Sequence, residues 1–263
     1  MTILERNNVR VFGHGSTSII FAHGFGCDQN MWRFVAPAFQ EKYQIVLFDN
    51  VGAGKSDLSF YSFDKYASLS GYADDVIEIV RSLKLERPVF VGHSVSAIVG
   101  LLAHLKAPGI FGKLVMVGPS PCYVNDGDYV GGFTTLQIEE LIASLEDNHL
   151  GWSATMAPVI MGNLDRAELG EELRSSFCRT DPEIAAHFAR TTFMSDYREV
   201  LAPIEIPTLI LQCSDDVIAP TCVGEYMHRM MPGSTLVIMK ATGHCPNLSA
   251  PEETIEAIRS FLT

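Results

Sequence analysis

Short apolar runs alternate with helical segments along most of the chain, and this alternation is what most restricts its possible folds. The six runs are residues 18–22, 44–48, 89–91, 114–117, 208–212 and 235–239. Runs this apolar suit the central strands of a parallel sheet, because helices cover both faces of such a sheet. The pattern therefore predicts an α/β fold built on a mostly parallel, doubly wound sheet.

The N-terminal segment 8–12 alternates apolar and polar residues and runs into Gly13-His14-Gly15. Alternation of this kind is typical of a strand with one exposed face, and the two glycines favour a tight turn. We therefore predict an edge hairpin at the start of the sheet.

The stretch from Tyr123 to Val200 lacks a buried-strand pattern and has helical patterns instead. These patterns lie near residues 134–147, 151–161, 166–178 and 182–194. Asp181 and Pro182 begin the last of them with a capping residue and a proline at the first helical position. We predict a core in two parts, residues 1–120 and 201–263, with a helical cap at 121–200 over the carboxyl ends of the strands, where such sheets bind ligands.

Charge and cysteine usage exclude several classes of partner and site. The net charge of -12 disfavours binding to nucleic acid or to an anionic membrane surface. The N-terminus shows no signal-peptide pattern, and no apolar run reaches the roughly 18 residues of a membrane helix. The six cysteines are scattered without metal-binding spacing. We expect a cytoplasmic protein with reduced thiols and no metal site.

The segment "FVGHSVSAIVG", residues 90–100, places Ser94 between an apolar run and a helical pattern. A strand, a tight turn and a helix in this order lift a serine hydroxyl out of the turn as a nucleophile. The alternative is a small polar residue in a glycine-rich turn, so a base and an acid are needed to decide between the two.

Two later segments supply a base and an acid in a suitable order. "LILQCSDDVIAP" places Asp215 and Asp216 after one predicted strand, and "ATGHCPN" places His244 after the next. Serine, acid and histidine in this chain order, each at the end of a different strand, can form a catalytic triad. We favour Asp216 over Asp215, because Asp216 begins a D-x-x-x-P turn that ends at Pro220.

The segment "FAHGFGCDQ" follows the first central strand and can present backbone N–H groups to an oxyanion. We assign the oxyanion hole to the N–H groups of Phe25 and Val95, because Val95 also begins the helix after Ser94. His23 in the same segment is interpreted as structural.

The segment "LFDNVGAGKSD" ends like a phosphate-binding loop at Gly54-Lys55-Ser56. That motif requires a glycine at the position of Asp49, and the dinucleotide fingerprint requires one at Asp57. Both patterns fail, and no cofactor is expected.

Together these motifs resemble the α/β-hydrolase superfamily, and within it the small group that contains the bacterial stress regulator RsbQ and the plant strigolactone and karrikin receptors. The resemblance covers essentially the whole chain and includes "GFGCDQ", "FVGHSVSA", "VMVGPSPCYVND", "SDYREVL" and "GHCPNLSAPEETIEAI". The general hydrolase pattern has glycine where this chain has Ser96, and the plant receptors share the serine. On this resemblance Ser94 is identified as the nucleophile.

The resemblance implies an α/β-hydrolase fold with a four-helix cap over a closed apolar pocket. Positions that match the family's pocket lining are Phe25, Tyr123, Phe133, Trp152, Met156, Phe193 and Val217.

From this we predict a carboxylesterase-like serine hydrolase that cleaves a small apolar ester or lactone. The resemblance further implies an RsbQ-like role in stress signalling, with a partner that carries a sensor domain and a phosphatase domain. The alternatives are a ligand sensor with slow turnover, a general metabolic carboxylesterase, and a lyase or cofactor-free haloperoxidase with the same triad. A catalytically inactive scaffold is disfavoured, because all three triad residues are present.

Overall fold

The computed structural model describes residues 1–202 and 204–263, and it contains the predicted α/β architecture with a mostly parallel sheet. Seven strands form this sheet in the order β1-β3-β2-β4-β5-β6-β7. Every neighbouring pair is parallel except β1 and β3. In chain order the strands span Arg10–Gly13, Thr17–Ala22, Tyr43–Leu47, Val89–His93, Lys113–Val117, Thr208–Asp215 and Ser234–Thr242.

Helices cover the sheet and fill the long connection between β5 and β6. The α-helices of the described residues, α1 to α10, span Ile3–Arg6, Leu69–Ser82, Val95–Lys106, Thr135–Asp147, His149–Met161, Ala167–Phe177, Pro182–Phe193, Thr221–Met230, Pro246–Ser249 and Pro251–Leu262. Short 3-10 turns lie at Gln29–Trp32, Ala36–Phe39, Leu58–Phe60 and Arg198–Val200. In residues 1–202 and 204–263, no helix combines the length and the apolar character needed to cross a membrane.

The predicted N-terminal hairpin is wrong, although β1 does lie at the edge of the sheet. β1 pairs with β3, with Arg10 opposite Leu47, instead of pairing with β2. β2 is buried along most of its length and therefore needs a strand on each side, which β3 and β4 supply. The turn between β1 and β2 crosses the start of β3 so closely that a Cβ on Gly15 would lie 2.0 Å from the Lys42 carbonyl oxygen.

The four helical patterns predicted between β5 and β6 appear as α4 to α7. α4 begins at a capping box between Thr134 and Gln137, and α7 begins at Pro182 after the Asp181 cap. α5 begins two residues earlier than the pattern predicts, because the Asn148 side chain accepts a hydrogen bond from the Gly151 N–H and caps it.

Three apolar clusters hold these layers together. Two of them pack the helices onto the opposite faces of the sheet. The third joins α4 to α7 to the loops that follow the strands, and it includes Cys27, Ile160, Phe177, Phe193 and Cys245. The four inserted helices therefore pack over the carboxyl ends of the strands.

Candidate active site

The structure brings Ser94, His244 and Asp216 into one hydrogen-bonded chain at the carboxyl edge of the sheet. The Ser94 Oγ lies 2.8 Å from His244 Nε2, and His244 Nδ1 lies 2.7 Å from Asp216 Oδ2. All three side chains are buried. In this arrangement Nδ1–H donates to the carboxylate, which leaves Nε2 as the acceptor for the serine proton.

Ser94 occupies a strained turn between β4 and α3. Its φ of 55° and ψ of -125° lie where non-glycine residues are rare and costly. The turn is tight enough that a Cβ on Gly92 would lie 2.5 Å from the Ser96 carbonyl oxygen. A hydrogen bond of 2.8 Å from the Ser94 N–H to the Val117 carbonyl ties the turn to β5. The "GHSVS" segment therefore has the geometry of a nucleophile elbow.

Asp216, and not Asp215, reaches the histidine. The Asp216 Oδ1 accepts hydrogen bonds from the N–H groups of Ile218 and Ala219, at 2.8 and 3.1 Å. This turn aims the second carboxylate oxygen at His244. Asp215 is the last residue of β6, and its side chain is exposed.

The backbone of His244 is held from two sides. Its N–H donates to the Ile160 carbonyl at the end of α5, at 2.9 Å, and its carbonyl accepts from His93 Nε2 at 2.7 Å. Burial and the neighbouring His244 lower the pKa of His93 to about 3, so His93 stays neutral. The His244 backbone is thus positioned by α5 and by His93, the residue before Ser94.

The two residues assigned to the oxyanion hole lie beside Ser94. In the part of the chain that the structure describes, neither the Phe25 nor the Val95 N–H donates to another protein group. Val95 is the first residue of α3. Gly24 lies so near the elbow that its missing Cβ would be 3.3 Å from the Ser94 Cβ. Both N–H groups are therefore available to a bound oxyanion.

Ser96 secures the loop that carries Phe25. Its hydroxyl donates to the His23 carbonyl. His23 Nε2 accepts from the Asn50 N–H at 3.0 Å, so Nδ1 carries the proton and donates to the Gly24 carbonyl at 2.9 Å. Ser96, which stands where the general hydrolase pattern has glycine, thus adds a hydrogen bond to the loop that carries Phe25. Both ring nitrogens of His23 bond to backbone groups, which holds this loop in place.

A cavity of about 30 Å³ lies against Ser94. Pockets that hold small-molecule ligands have volumes of roughly 300–1,000 Å³, so this cavity is too small for such a ligand without a movement of its walls. The residues that line it are Phe25, Cys27, His93, Ser94, Ile160, Leu173, Phe177, Thr192, Phe193, Ile218, His244 and Cys245. Of the pocket positions expected from the sequence, Phe25 and Phe193 are therefore on its wall.

Tyr123 and Trp152 are buried beside this wall, and the Tyr123 hydroxyl lies near the Ser94 side chain. The Tyr123 ring packs on Phe193, with ring centroids 5.0 Å apart. The Trp152 ring packs on Phe177 at 5.4 Å and edge-on to Phe25 at 6.2 Å. Both residues therefore support the shape of the cavity without lining it.

Phe133, Met156 and Val217 are not among the residues that line this cavity, so their place in a ligand pocket stays a prediction. Val217 is 47% exposed and lies in the turn after Asp216. Met156 borders an open groove on the outer side of α4 and α5, and Phe133 is half-buried before α4. α5 is apolar around most of its circumference, so its sequence does not show which side faces Ser94.

Several cavity residues are not among the predicted site residues. They are Cys27, Ile160, Leu173, Phe177, Thr192, Ile218 and Cys245. Three of them are chain neighbours of predicted site residues, since Thr192 precedes Phe193, Ile218 follows Val217 and Cys245 follows His244. Adjacency was a signal in the sequence that could have found these three.

The "LFDNVGAGKSD" loop is organised by its own aspartate. The Asp49 carboxylate accepts from the backbone N–H groups of Gln29 and Lys55, at 2.8 and 2.9 Å, and from the Asn8 side chain at 2.7 Å. The glycines of this loop allow it to fold tightly around Asp49, because a Cβ on Gly54 would lie 2.5 Å from the carboxylate. Within residues 1–202 and 204–263, no cluster of three or more His, Cys, Asp or Glu could hold a metal ion.

Comparison with known proteins shows which family this chain resembles. Residues 19–257 match the model of the alpha/beta hydrolase family. The strigolactone esterase D14 of Arabidopsis thaliana is 40% identical and covers 99% of this chain and 97% of its own length. The karrikin insensitive 2 receptor CA of Petunia hybrida is 37% identical, with 97% and 94% covered.

A solved structure of a hydrolase from Oleispira antarctica is 42% identical and superimposes with a TM-score of 0.96, covering 99% of this chain and 96% of that one. The predicted resemblance to the plant strigolactone and karrikin receptors is confirmed by these relatives. The family match over most of the chain and the identities above one third together show that the chain belongs to the alpha/beta hydrolase family.

Proposed function

We propose that this protein is a serine hydrolase that cleaves a small, mainly apolar ester or lactone by two-step acyl transfer. The observation that carries the proposal is the buried hydrogen-bonded chain from Ser94 through His244 to Asp216. Hydrolysis of ester bonds is also the activity that the alpha/beta hydrolase family and a relative named as an esterase support.

In the first step, His244 Nε2 accepts the proton of Ser94 as the Oγ attacks the carbonyl carbon. The Phe25 and Val95 N–H groups stabilise the oxyanion, and the proton passes to the leaving alcohol. In the second step, water attacks the acyl-enzyme, with His244 again acting as the base. Asp216 keeps the imidazole in the required tautomer and stabilises its charged form. Neither step requires a metal ion or an organic cofactor.

The cavity supports a small substrate that enters by a movement of the cap. Its wall is mostly aromatic and aliphatic, which favours apolar ligands. Because the cavity of about 30 Å³ is much smaller than an ester substrate, α5 to α7 would move away from the sheet when a ligand binds. We therefore propose that residues 121–200 act as a cap on a core formed by residues 1–120 and 201–263.

A signalling role is the second candidate, and it uses the same site. One relative is named as an esterase and another as a receptor, so both activities occur among proteins at this level of identity. A site that opens only when the cap helices move favours slow release of product, which suits a ligand sensor. An RsbQ-like stress role with a sensor-phosphatase partner is a more specific form of this second candidate. A general metabolic carboxylesterase, in contrast, would hydrolyse simple esters rapidly.

Labelling with a serine-directed fluorophosphonate tests the nucleophile. We expect one adduct on Ser94, located by mass spectrometry, and none in Ser94→Ala. Ser153→Ala is the matched control, because this buried serine lies in α5 and donates to the His149 carbonyl. Equal labelling of wild type and Ser94→Ala would contradict the proposal.

Turnover separates the two roles. Rapid hydrolysis of p-nitrophenyl acetate, on the order of 10 per second or faster, supports a metabolic esterase. A slow turnover together with an acyl adduct on Ser94 after incubation in native cell extract supports the sensor.

A further inference from the structure

Thr192 on α7 is a buried residue of the cavity wall, and its hydroxyl has no hydrogen-bond partner in residues 1–202 and 204–263. The side chain is 1% exposed and lines the same cavity as Ser94. Its hydroxyl has no hydrogen-bond partner among the residues described by the structure. A buried hydroxyl without a partner destabilises the folded chain, whereas valine would fill the same volume without that penalty.

Three helical hydroxyls of this protein find a partner in the preceding turn of backbone. Ser153, Thr155 and Thr254 each donate to the carbonyl four residues earlier, at 2.7, 3.1 and 3.0 Å. The same partner is within reach of a helical threonine, whose two preferred rotamers include the one that makes this bond. Thr192 instead leaves its hydroxyl free.

The preceding residue, Thr191, is also a threonine, and its hydroxyl has a hydrogen-bond partner outside α7. Thr191 donates to the Tyr66 carbonyl at 3.1 Å. Thr192 therefore differs from its neighbour in lining the cavity, and its hydroxyl is an unpartnered polar group of a wall residue in the described chain.

Two further polar atoms beside the wall are also buried without partners. They are the Tyr123 hydroxyl and the Trp152 indole N–H. Their rings pack on Phe193 and Phe25, which line the cavity. The surroundings of Ser94 thus hold unused hydrogen-bonding capacity that a purely hydrocarbon ligand would leave unsatisfied.

We infer that Thr192 selects substrates that carry a second oxygen atom, as an ether, carbonyl or hydroxyl, in addition to the reacting ester or lactone group. The inference rests on the proposed hydrolase function and specifies its substrate class. Ser94 and Thr192 line one small cavity, so the second oxygen lies within the same small molecule as the scissile carbonyl. A site that hydrogen-bonds its substrate discriminates strongly against an analogue that lacks the partner atom.

Two matched ester pairs test this inference on both sides of the scissile bond. p-Nitrophenyl methoxyacetate and p-nitrophenyl butyrate differ by one ether oxygen in place of a methylene in the acyl part. 2-Methoxyethyl acetate and butyl acetate differ in the same way in the alcohol part. The members of each pair need the same room, so the cost of opening the cavity cancels in the ratio of their kcat/KM values.

We expect Thr192→Val to lower this ratio about tenfold in at least one pair, relative to wild type. Thr192→Ser retains the hydroxyl and should retain the ratio. Thr191→Val is the control, because it removes a hydroxyl one residue away that faces Tyr66. Dividing each variant's ratio by the wild-type ratio removes the intrinsic difference in reactivity between the two esters.

Unchanged ratios in both pairs for a folded Thr192→Val would overturn the inference, and so would an equal change in Thr191→Val. Either result would leave the hydrolase function standing, since the esters are still cleaved. Failure of wild type to cleave any of the four esters or to react with a fluorophosphonate would instead contradict the proposed function, and with it the inference.

Discussion

The two sides of the cavity next to Ser94 are built in different ways. On the sheet side, side chains are held by specific hydrogen bonds: Asp216 by two backbone N–H groups, and His244 by Asp216 and through its own backbone. On the cap side, aromatic rings pack without such bonds, and polar atoms of Thr192 and Trp152 have no partner in the described chain.

This difference assigns separate tasks to the two sides. Hydrogen bonds fix the direction of a side chain, which proton transfer and oxyanion binding require. Apolar packing fixes the volume and shape of the cavity. Shape discriminates between ligands by less free energy than a hydrogen bond to a matched partner does. Substitutions on the sheet side should therefore slow every substrate alike, and substitutions on the cap side should change the preference among substrates.

The largest effect is expected on the sheet side, from Asp216→Asn. The amide oxygen would keep the bonds from the Ile218 and Ala219 N–H groups, so the amide NH2 would face His244 Nδ1. The imidazole is then held in the wrong tautomer, and kcat should fall on the order of 10⁴-fold. The measurement is the hydrolysis rate of p-nitrophenyl acetate and butyrate, which should fall by the same factor. Asp215→Asn is the matched control, and a comparable loss in that variant would contradict the assigned geometry.

A smaller and more selective effect is expected on the cap side, from Trp152→Ala. Loss of the ring behind Phe25 and Phe177 enlarges the cavity towards the groove between α4 and α5. Relative kcat/KM for long acyl chains over acetyl should rise by roughly 10- to 100-fold, which corresponds to about 1–3 kcal/mol. A chain-length series of p-nitrophenyl esters measures this preference.

Met156→Ala is the control for that prediction, because Met156 lies on the same helix at the groove and does not line the cavity. Fluorophosphonate labelling checks that the triad remains intact in both variants. An unchanged chain-length profile in a labelling-competent Trp152→Ala would mean that the Trp152 ring does not set the cavity's volume.

A third prediction tests how firmly the sheet side is held as the pH falls. His93 has a folded-state pKa of about 3, below its usual 6.5, so its neutral form stabilises the fold fully above 6.5. That contribution is lost as the pH falls below 6.5 towards 3, by about 1.4 kcal/mol of unfolding free energy per pH unit. Urea unfolding of wild type between about pH 7 and pH 4 measures the slope.

His93→Gln keeps a donor for the His244 carbonyl and removes the titrating ring. Its unfolding free energy should depend less steeply on pH than that of wild type. Equal slopes in the two proteins would show that His93 is not the group that titrates.

The smallest effect is expected from Val217→Ala. The side chain is half exposed beside Asp216 and does not line the cavity, so its truncation should change stability by less than about 0.5 kcal/mol and leave substrate preference unaltered. The same ester series measures it. A change in chain-length preference would place Val217 on the wall in the ligand-bound protein, as its match to the family's pocket positions predicts.

Local motifs were sufficient to predict the strands, the turn at Ser94 and the segment that carries His244. Each of these depends on short-range geometry, such as an apolar strand followed by a glycine and a helix. The preference for Asp216 over Asp215 also depended on short-range geometry. The N–H groups of Ile218 and Ala219, in the turn that follows Asp216, bind one carboxylate oxygen and so orient the other. The partnership of β1 with β3 was not local and was predicted incorrectly.

The sequence by itself determined which chemistry this protein can carry, because the reactive residues lie at the ends of strands that a parallel sheet must bring to one edge. Tertiary structure alone decided which of the many apolar residues of α4 to α7 face Ser94. A helix that is apolar on several sides, such as α5, does not record in its periodicity which side meets the core and which meets a neighbouring helix. Thr192 became distinguishable from Thr191 when packing placed one hydroxyl at the Tyr66 carbonyl and the other side chain on the cavity wall.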